Sequence, residues 1–399
     1  MSIRKRTWTT AKGEEKTAWV VDYLDIKGIR RLKTFKLKKL ADEFSSIAKV
    51  EVREGVHVAD SATVTVAEAG ALWLAKCDSA GLERSTVDQY RQHLNLHIKP
   101  MIGAVKLSKI TVPAVRALQD ELRENDRSSA MIKRVTVSLG SILSDAQERG
   151  LVVRNAVHEM SKRRGNGASK AEKRQKARLR YGVDIPTMPE IRAILEAAGG
   201  RYRPFLVTAI FTGMRASELR GLSWADVDLG KGVIHVRQRA DAYHTIGMPK
   251  SDAGQRTIPL TPMVVNTLKE WKLACPKGDL RLVFPNGEGN IEWHQNIIKR
   301  GLWPTLIQAG VTVEHIGADG QAKVSAKYTG LHALRHWFAS WCINSKADGG
   351  LELSPKAVQA RMGHSSIQVT YDTYGHLFPA LDEAESLRAA ELALLGTSS

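Results

Sequence analysis

The sequence predicts a multidomain chain, mainly α-helical with small β-sheets. Three observations predict it. The length of 399 residues allows two to three domains. Apolar residues recur at helical spacing along most of the chain, and only short stretches alternate as strands do. Two segments interrupt these patterns: the small, polar HVADSATV of residues 58–65 and a strongly basic run within 161–183.

Composition narrows the function. Lys and Arg number 59 against 42 Asp and Glu, a net charge of +17. Such a surplus suits a polyanionic partner, either nucleic acid or a membrane surface. No apolar run approaches the ~18 residues of a membrane helix, and no basic amphipathic helix speaks for a membrane surface. The start, MSIRKRTWTT, is basic but lacks the apolar core of a secretory signal. Only Cys77, Cys275 and Cys342 occur, an odd and scattered set that fits a reducing cytoplasm and no disulfide framework.

Residues 1–57 read as a small sheet plus a helix. KTAWVVDYLD alternates, with Trp19, Val21 and Tyr23 on one side, and a turn at Lys27-Gly28 leads into GIRRLKTFK. Leu37, Leu40, Ala41, Phe44, Ile47 and Ala48 then form a helical stripe. Arg4, Lys5, Arg6, Arg30, Arg31 and Lys33 are expected on the exposed side. A solvated face explains them, as does a basic sheet entering a DNA groove.

Residues 66–158 read as a bundle of four helices. Val66, Ala69, Trp73, Leu74 and Cys77 form the first stripe. Ser85 or Thr86 is expected to cap a second helix that stops before Pro100. Thr111 is expected to cap a third, with Pro113 in its first turn. The fourth carries Met131, Val135, Leu139, Ile142 and Ala146, with Gly150 at its C′ position.

Residues 161–180 hold nine Lys or Arg and one Glu, a net of +8. That density repels itself and does not fold alone. Residues 161–183 therefore read as a linker, and Lys162, Arg163, Arg164, Lys173 and Arg174 are candidate contacts to a DNA backbone.

The last domain, 184–379, opens with the capping box Thr187-Met-Pro-Glu190. The apolar helix FLVTAIF breaks at Gly213, and Arg215 starts the short helix ASELRGL, where a cation adds to an anion site. Glu218, one turn on, can brace Arg215 or serve as an ordinary first-turn acid. GVIHVRQRA and QRTIPL read as strands around DAYHTIGMPKSDAG, in which Lys250 has the spacing of an ordinary hairpin lysine. Residues 311–328 read as an insertion. His332 and Arg335 lie i, i+3 on an apolar helix and share a face. By itself H-x-x-R fits a capped helix with a solvated Arg. His332 and His336 at i, i+4 lack a third ligand at metal spacing. Gly363-His364, Tyr371 and Tyr374 follow.

TGMRASEL, PKSDAGQRTIPL, LHALRHWFAS and MGHSSIQVTYDTYGHL, in that order, resemble the tyrosine recombinase (phage integrase) family. KPMIGAVKLSKIT resembles that family's core-binding domain, SAM-like in fold. The resemblance implies an arm-type DNA-binding module (1–57), a core-binding domain (66–158), a catalytic domain (184–379) and a C-terminal tail helix (380–399).

The resemblance implies a site-specific recombinase, the integrase of a phage or integrative element. It would cleave and rejoin DNA through a 3′-phosphotyrosine, catalysing integration and excision. Lys250 becomes the mobile catalytic lysine that protonates the leaving oxygen. Arg215 and Arg335 would clamp the phosphate, His332 would assist proton transfer from the phenol, and His364 would donate to the phosphate. Tyr374 would be the nucleophile, because the family's tyrosine follows Gly-His by nine or ten residues. Tyr371, seven after His364, is read as packing. Met362 and Trp337 depart from the usual Leu and Thr. No metal, cofactor or ATP is implied, since the phosphotyrosine conserves the bond energy. Implied partners are double-stranded DNA at core and arm attachment sites and the chain itself, as a tetramer on paired sites. A host DNA-bending protein and an excision factor are further implied partners, with the bacterial nucleoid as the location.

A type IB-like topoisomerase shares this chemistry, and a catalytically silent DNA-binding protein could share the fold. In the tail, Leu377, Leu381, Ala384, Leu392 and Leu395 fall on one helical face with Arg388. That face would pack on its own domain or on a neighbouring subunit.

Overall fold

The computed structural model describes residues 1–10, 13–26, 28–55, 57–59, 63–163, 178–249, 251–316, 320–378 and 383–395. Met1–Gly167 form one compact unit and Ala168–Ser399 another. Among the described residues no helix is long and apolar enough to cross a membrane.

The first unit begins with an antiparallel sheet in the order β1 (Ser2–Thr9), β2 (Glu15–Leu24), β3 (Arg30–Phe35), followed by α1 (Lys38–Arg53). Val21, Tyr23 and Ala41 are buried between sheet and helix, with Ile3, Trp19, Phe35 and Phe44 packed around them. The register corrects one expectation. Lys5 pairs with Trp19, Arg31 with Tyr23 and Lys33 with Val21. Side chains alternate along a strand, so these three cations lie on the α1 side. Arg4, Arg6 and Arg30 occupy the opposite face. The six therefore divide between two faces. Lys33 Nζ sits 4.3 Å from the Phe44 ring centroid, and Arg31 pairs with Asp25 at 2.9 Å. Arg30 is bonded to Asp22.

The helical part of this unit comprises α2 (Val66–Ser79), α3 (Arg84–His93), α4 (Val112–Glu124), α5 (Ser129–Glu148) and α6 (Ala156–Arg163). Trp73, Leu118, Leu139, Ile142 and Val157 share its core. Thr111 caps α4 as expected, and Gly150 has the positive φ of 67° that ends α5. The start of α3 differs from expectation. It begins at Arg84 after Glu83, with no side-chain cap, so Ser85 and Thr86 lie inside its first turn. Nor does the helical path stop before Pro100. A π-helical turn, Leu94–Ile98, leads into Lys99–Ile102. The wider π turn, in which Lys99 N donates to Leu94 O, accommodates Pro100, which has no N–H to donate. Helix α6 runs to Arg163, past the expected start of the linker. Arg164, Lys173 and Arg174 lie outside the described residues.

The second unit contains α7 (Met188–Ala197), α8 (Arg203–Thr212) and α9 (Ala216–Gly221). Strands β4 (Val227–Asp228), β5 (Val233–Val236), β6 (Arg239–Ala240), β7 (Ile246–Gly247) and β8 (Arg256–Pro259) follow. They make an antiparallel β4-β5-β8 sheet and a β6-β7 ribbon. Then come α10 (Pro262–Ala274), α11 (Trp303–Gln308) and a hairpin of β9 (Thr312–Ile316) and β10 (Ala322–Ala326), which forms the inserted stretch. The chain continues as α12 (His332–Ile343), α13 (Pro355–Met362), α14 (Ile367–Tyr374) and α15 (Glu383–Leu395). The Thr187–Glu190 capping box is formed. Helix α8 is buried almost all round, and its core extends through Leu334 and Trp337 of α12. Leu219 of α9 joins the same core, so α9, which Arg215 precedes, and α12, which carries Arg335, rest on one core.

Candidate active site

The local folding of two glycines sets up the site. Gly213 ends α8 in the left-handed region at φ 59°, and a Cβ there would lie 2.3 Å from the Phe338 ring. Only glycine suits both constraints. The chain then turns through Met214, and Arg215 stands at the entrance of α9. Gly363, at φ 62°, ends α13 in the same way, and a Cβ there would lie 2.7 Å from Arg256 Nη1.

The last carbonyls of a helix lack partners within it. At the end of α13 three arginines from separate elements supply them. Arg256 Nε donates to Arg361 O at 2.8 Å, Arg335 Nη2 to Met362 O, and Arg215 Nη2 to Gly363 O at 2.8 Å. Arg335 Nη1 also donates to Gly213 O. Gln359 Nε2 donates to the next carbonyl, His364 O, at 3.1 Å. Placing cations at this end also suits the helix dipole. The remaining N–H groups of the Arg215 and Arg335 forks are donors for an anion. A cavity of about 300 Å³ opens beside Arg215, lined also by Arg239, Ser251 and Ser365.

Glu218 joins two of these arginines. Its carboxylate accepts from Arg215 Nη1 at 2.7 Å, from the Arg215 backbone N at 2.9 Å and from Arg256 Nη2 at 2.8 Å. It is 2% exposed. Burial alone would raise its pKa, but the Arg256 hydrogen bonds and the Arg256 and Arg215 charges outweigh that and hold it below the ordinary value. The brace expected between Glu218 and Arg215 therefore extends to Arg256. Removing one member of a buried ion network leaves the others uncompensated. Glu218→Gln is expected to destabilise the protein by about 3–5 kcal/mol, measured by chemical denaturation. The depressed carboxyl stabilises the fold above the unfolded value of about 4.3 and loses that contribution as pH falls through its lower folded value. Acid sensitivity in that window should therefore shrink in Glu218→Gln.

Tyr374, on α14, is 2% exposed, and its hydroxyl lies 2.8 Å from His336 Nδ1. Burial pushes the phenol up to about 12, against the opposing pull of Arg335 and Arg215. Its ring is near-parallel to that of His364, centroids 6.1 Å apart. His364 Nδ1 lies 2.9 Å from Thr370 Oγ1, which fixes the imidazole. Burial, then the charges of Arg335, Arg215 and Arg256, push His364 down to about 4. His332 is exposed at the start of α12, its pKa lowered by desolvation and by Arg335 and Arg215. Arg335 is buried, which lowers its pKa to about 10, so it remains charged at neutral pH.

Arg215, Glu218, His332, Arg335, His364 and Tyr374 are therefore brought into one electrostatically connected cluster. Lys250 lies outside the described residues. Tyr371 is 49% exposed and its ring lies 6.2 Å from that of Phe378, so it packs there on one side and is open to solvent on the other. Two residues of this cluster escaped sequence reasoning. Arg256 ends the quoted PKSDAGQR stretch, which was its available signal. His336 was weighed only as a metal ligand.

The phage integrase family model matches residues 187–380, and the model for that family's N-terminal SAM-like domain matches residues 65–123. Prophage integrase IntR of Escherichia coli K12 is 29% identical over 209 residues, 50% of this chain and 48% of the relative. The chain thus spans about half of that relative's length. A tyrosine recombinase XerC-like protein of Caldanaerobacter subterraneus is 25% identical over 354 residues, 82% of this chain and 83% of the relative. The Tn1549 transposon integrase in complex with a circular intermediate DNA shares the fold at TM-score 0.61 and 19% identity, covering 83% of this chain and 100% of that one. A lambda integrase tetramer bound to a Holliday junction does so at TM-score 0.55 and 16% identity, covering 90% of this chain and 95% of that one. Its two matched domains, which together span more than half of its length, make this chain a member of the phage integrase, or tyrosine recombinase, family.

Proposed function

We propose that this protein is a site-specific DNA recombinase that cuts and rejoins strands through a 3′-phosphotyrosine at Tyr374. The observation that carries the reading is the convergence of the Arg215 and Arg335 forks on the carbonyls before His364, beside the buried Tyr374 phenol. Attack on a phosphodiester builds negative charge on the non-bridging oxygens. Two planar forks fixed before the reaction stabilise that charge without reorganising. His364 is held neutral by its surroundings and serves as a hydrogen-bond donor to the same oxygens. Lys250 protonates the leaving 5′ oxygen. His332 stands at the open edge of the cleft, where an incoming strand would meet it. The test is a nicked duplex whose short 3′ fragment diffuses away after cleavage. The wild type is expected to trap a covalent protein–DNA adduct, with EDTA present. No adduct on any substrate carrying the element's own junctions would leave a silent DNA-binding protein.

The same reading assigns double-stranded DNA as substrate, with core sites for the helical bundle and arm sites for the N-terminal sheet. Arg4, Arg6 and Arg30 share the sheet face away from α1, which suits them to the arm contact. A DNA-bending protein and an excision factor are the accessory partners, and the bacterial nucleoid is the location. Recombination requires four strand cleavages, so four protomers act together, and the lambda integrase assembly on a Holliday junction is such a tetramer.

The tail supports that assembly. Leu387, Leu392, Leu394 and Leu395 of α15 are exposed. Leu392 and Leu395 of the expected face suit docking on a neighbouring subunit, whereas Leu377 precedes α15 in the turn Gly375–Leu377 and packs on the core. Deleting the residues after Pro379 is expected to leave single-protomer DNA binding nearly intact and weaken assembly on paired sites. Cleavage should persist or rise while exchange falls. Recombination at the wild-type rate by the truncated protein would rule out a coupling role.

A further inference from the structure

His336 follows Arg335 and lies one helical turn beyond His332 on α12. Its contact with Tyr374 is the only hydrogen bond to the phenol oxygen among the described residues. The two ring centroids are 5.8 Å apart. His332 makes no hydrogen bond among the described residues, and its centroid is 6.3 Å from that of His336. The flanking Arg335 and Trp337 are buried, so the helix holding His336 has little freedom to move. On its other side the phenol meets the His364 ring, which limits its rotation.

Resting on the recombinase reading, we infer that His336 is the base that takes the Tyr374 proton, a catalytic residue for strand cleavage. In that step the Tyr374 O–H bond breaks and its proton passes to His336 Nδ1, so that the ring, already carrying a proton on Nε2, becomes an imidazolium. A bond forms between Tyr374 Oη and phosphorus while the bond from phosphorus to the 5′ oxygen breaks. The leaving oxygen takes its proton from Lys250. In rejoining, the 5′ hydroxyl returns its proton to the lysine, and His336 gives its own back to the phenolate.

Before DNA arrives the proton stays on the tyrosine. Burial, followed by the charges of His332 and Arg335, pushes His336 down to about 4, while the phenol stands near 12. With both groups neutral, the phenol donates to Nδ1 in the tautomer that carries its ring proton on Nε2. The groups facing His336 are His332 and Arg335 on its own helix, Asp184 ahead of α7, Tyr374 on α14 and His364 after α13. Asp184 alone among them raises its pKa. A phosphodiester anion bound by Arg215 and Arg335 acts in the same direction as Asp184 and moves the imidazole back toward its ordinary range. Basicity at His336 thus depends on the substrate's own charge.

The test is the single-turnover rate of adduct formation against pH on the nicked substrate. It compares wild type, His336→Asn, His336→Gln and His332→Gln. Asn places an amide where Nδ1 stood, so it retains a hydrogen bond without a titrating base. Expected is unchanged DNA binding and melting, a rate lowered by about 10²–10⁴-fold in both His336 variants, and loss of the acid limb of the pH profile. His332→Gln should keep that limb. Replacing the bridging 5′ oxygen of the substrate by sulfur removes the need for a leaving-group acid and should not rescue His336→Asn. A wild-type rate and profile in His336→Asn overturns the inference, as does rescue by the sulfur substrate. If His336→Gln unfolds, His336→Asn decides; if both unfold, an acid limb that persists in His332→Gln supports His336 and its disappearance there overturns it. Absence of any wild-type adduct would instead remove the recombinase reading itself.

Discussion

A Tyr374→Phe protein is expected to bind its DNA sites normally and form no covalent adduct on the nicked substrate. Tyr371→Phe should still form one. The substitution removes a single oxygen from a ring that stays packed between α12 and α14. It gives up one hydrogen bond and leaves His336 Nδ1 without that partner, a loss of about 1–3 kcal/mol in folding stability. Against that structural cost the chemical effect is complete, because no other phenol occupies the site. Tyr371 is on the same helix but 49% exposed, with its ring against Phe378. Gel separation of covalent complexes measures the outcome. An adduct that survives in Tyr374→Phe and maps to Tyr371 would reverse the assignment.

Arg335→Lys is expected to lower the adduct rate by at least about 10²-fold while changing DNA affinity much less, and Arg215→Lys to behave alike. The charge is retained in both. What is lost is the fork. Arg335 reaches Gly213 O and Met362 O with different nitrogens of one rigid plane. An ammonium on a flexible stem cannot span both carbonyls and still present a donor to the phosphate. Because Arg335 is buried, part of the loss could arise from folding, so thermal melting must accompany the rates. A fall in rate without a matching fall in stability identifies the chemical role. A wild-type rate in Arg335→Lys would argue that point charge alone suffices.

Much of this architecture was legible because its local signals are strong. The Thr187–Glu190 box, the Gly213 stop and the Gly150 terminus each involve one backbone position and one residue type suited to it. The cluster of Arg215, His332, Arg335, His364 and Tyr374 was legible for a different reason: the motifs keep a characteristic order and spacing. What stayed hidden depends on direction in space. Strand alternation divides Arg4, Arg6 and Arg30 from Lys5, Arg31 and Lys33, yet from sequence all six read as one basic side. The π turn at Leu94–Ile98 carries the helical path past Pro100, and no residue type announces it. His336 sits between an arginine and a tryptophan, and its one sequence signal is the i, i+4 spacing from His332, which suggests only an incomplete metal pair. Its meaning appears only when α14 folds back and sets Tyr374 against it. The same holds for Arg256, whose partners Glu218 and Arg361 are far away in sequence.

The grip of Arg256, Arg335 and Arg215 on the carbonyls of residues 361–363 also has a consequence for biosynthesis. Arg335 and Met362 are 27 residues apart, but two of these bonds close long loops, since Arg215 and Gly363 are 148 residues apart and Arg256 and Arg361 are 105 apart. Contacts of such separation form late in folding, after the intervening chain has been ordered. On the ribosome they cannot form until α13 has emerged, and Tyr374, the proposed nucleophile, follows α13 on the next helix. On the proposed function, a nascent chain displays its basic N-terminal sheet and helical bundle, the proposed DNA-binding parts, for much of its synthesis. Throughout that time it holds neither the aligned arginines nor Tyr374, so the proposed strand cleavage would be withheld until the chain is nearly finished.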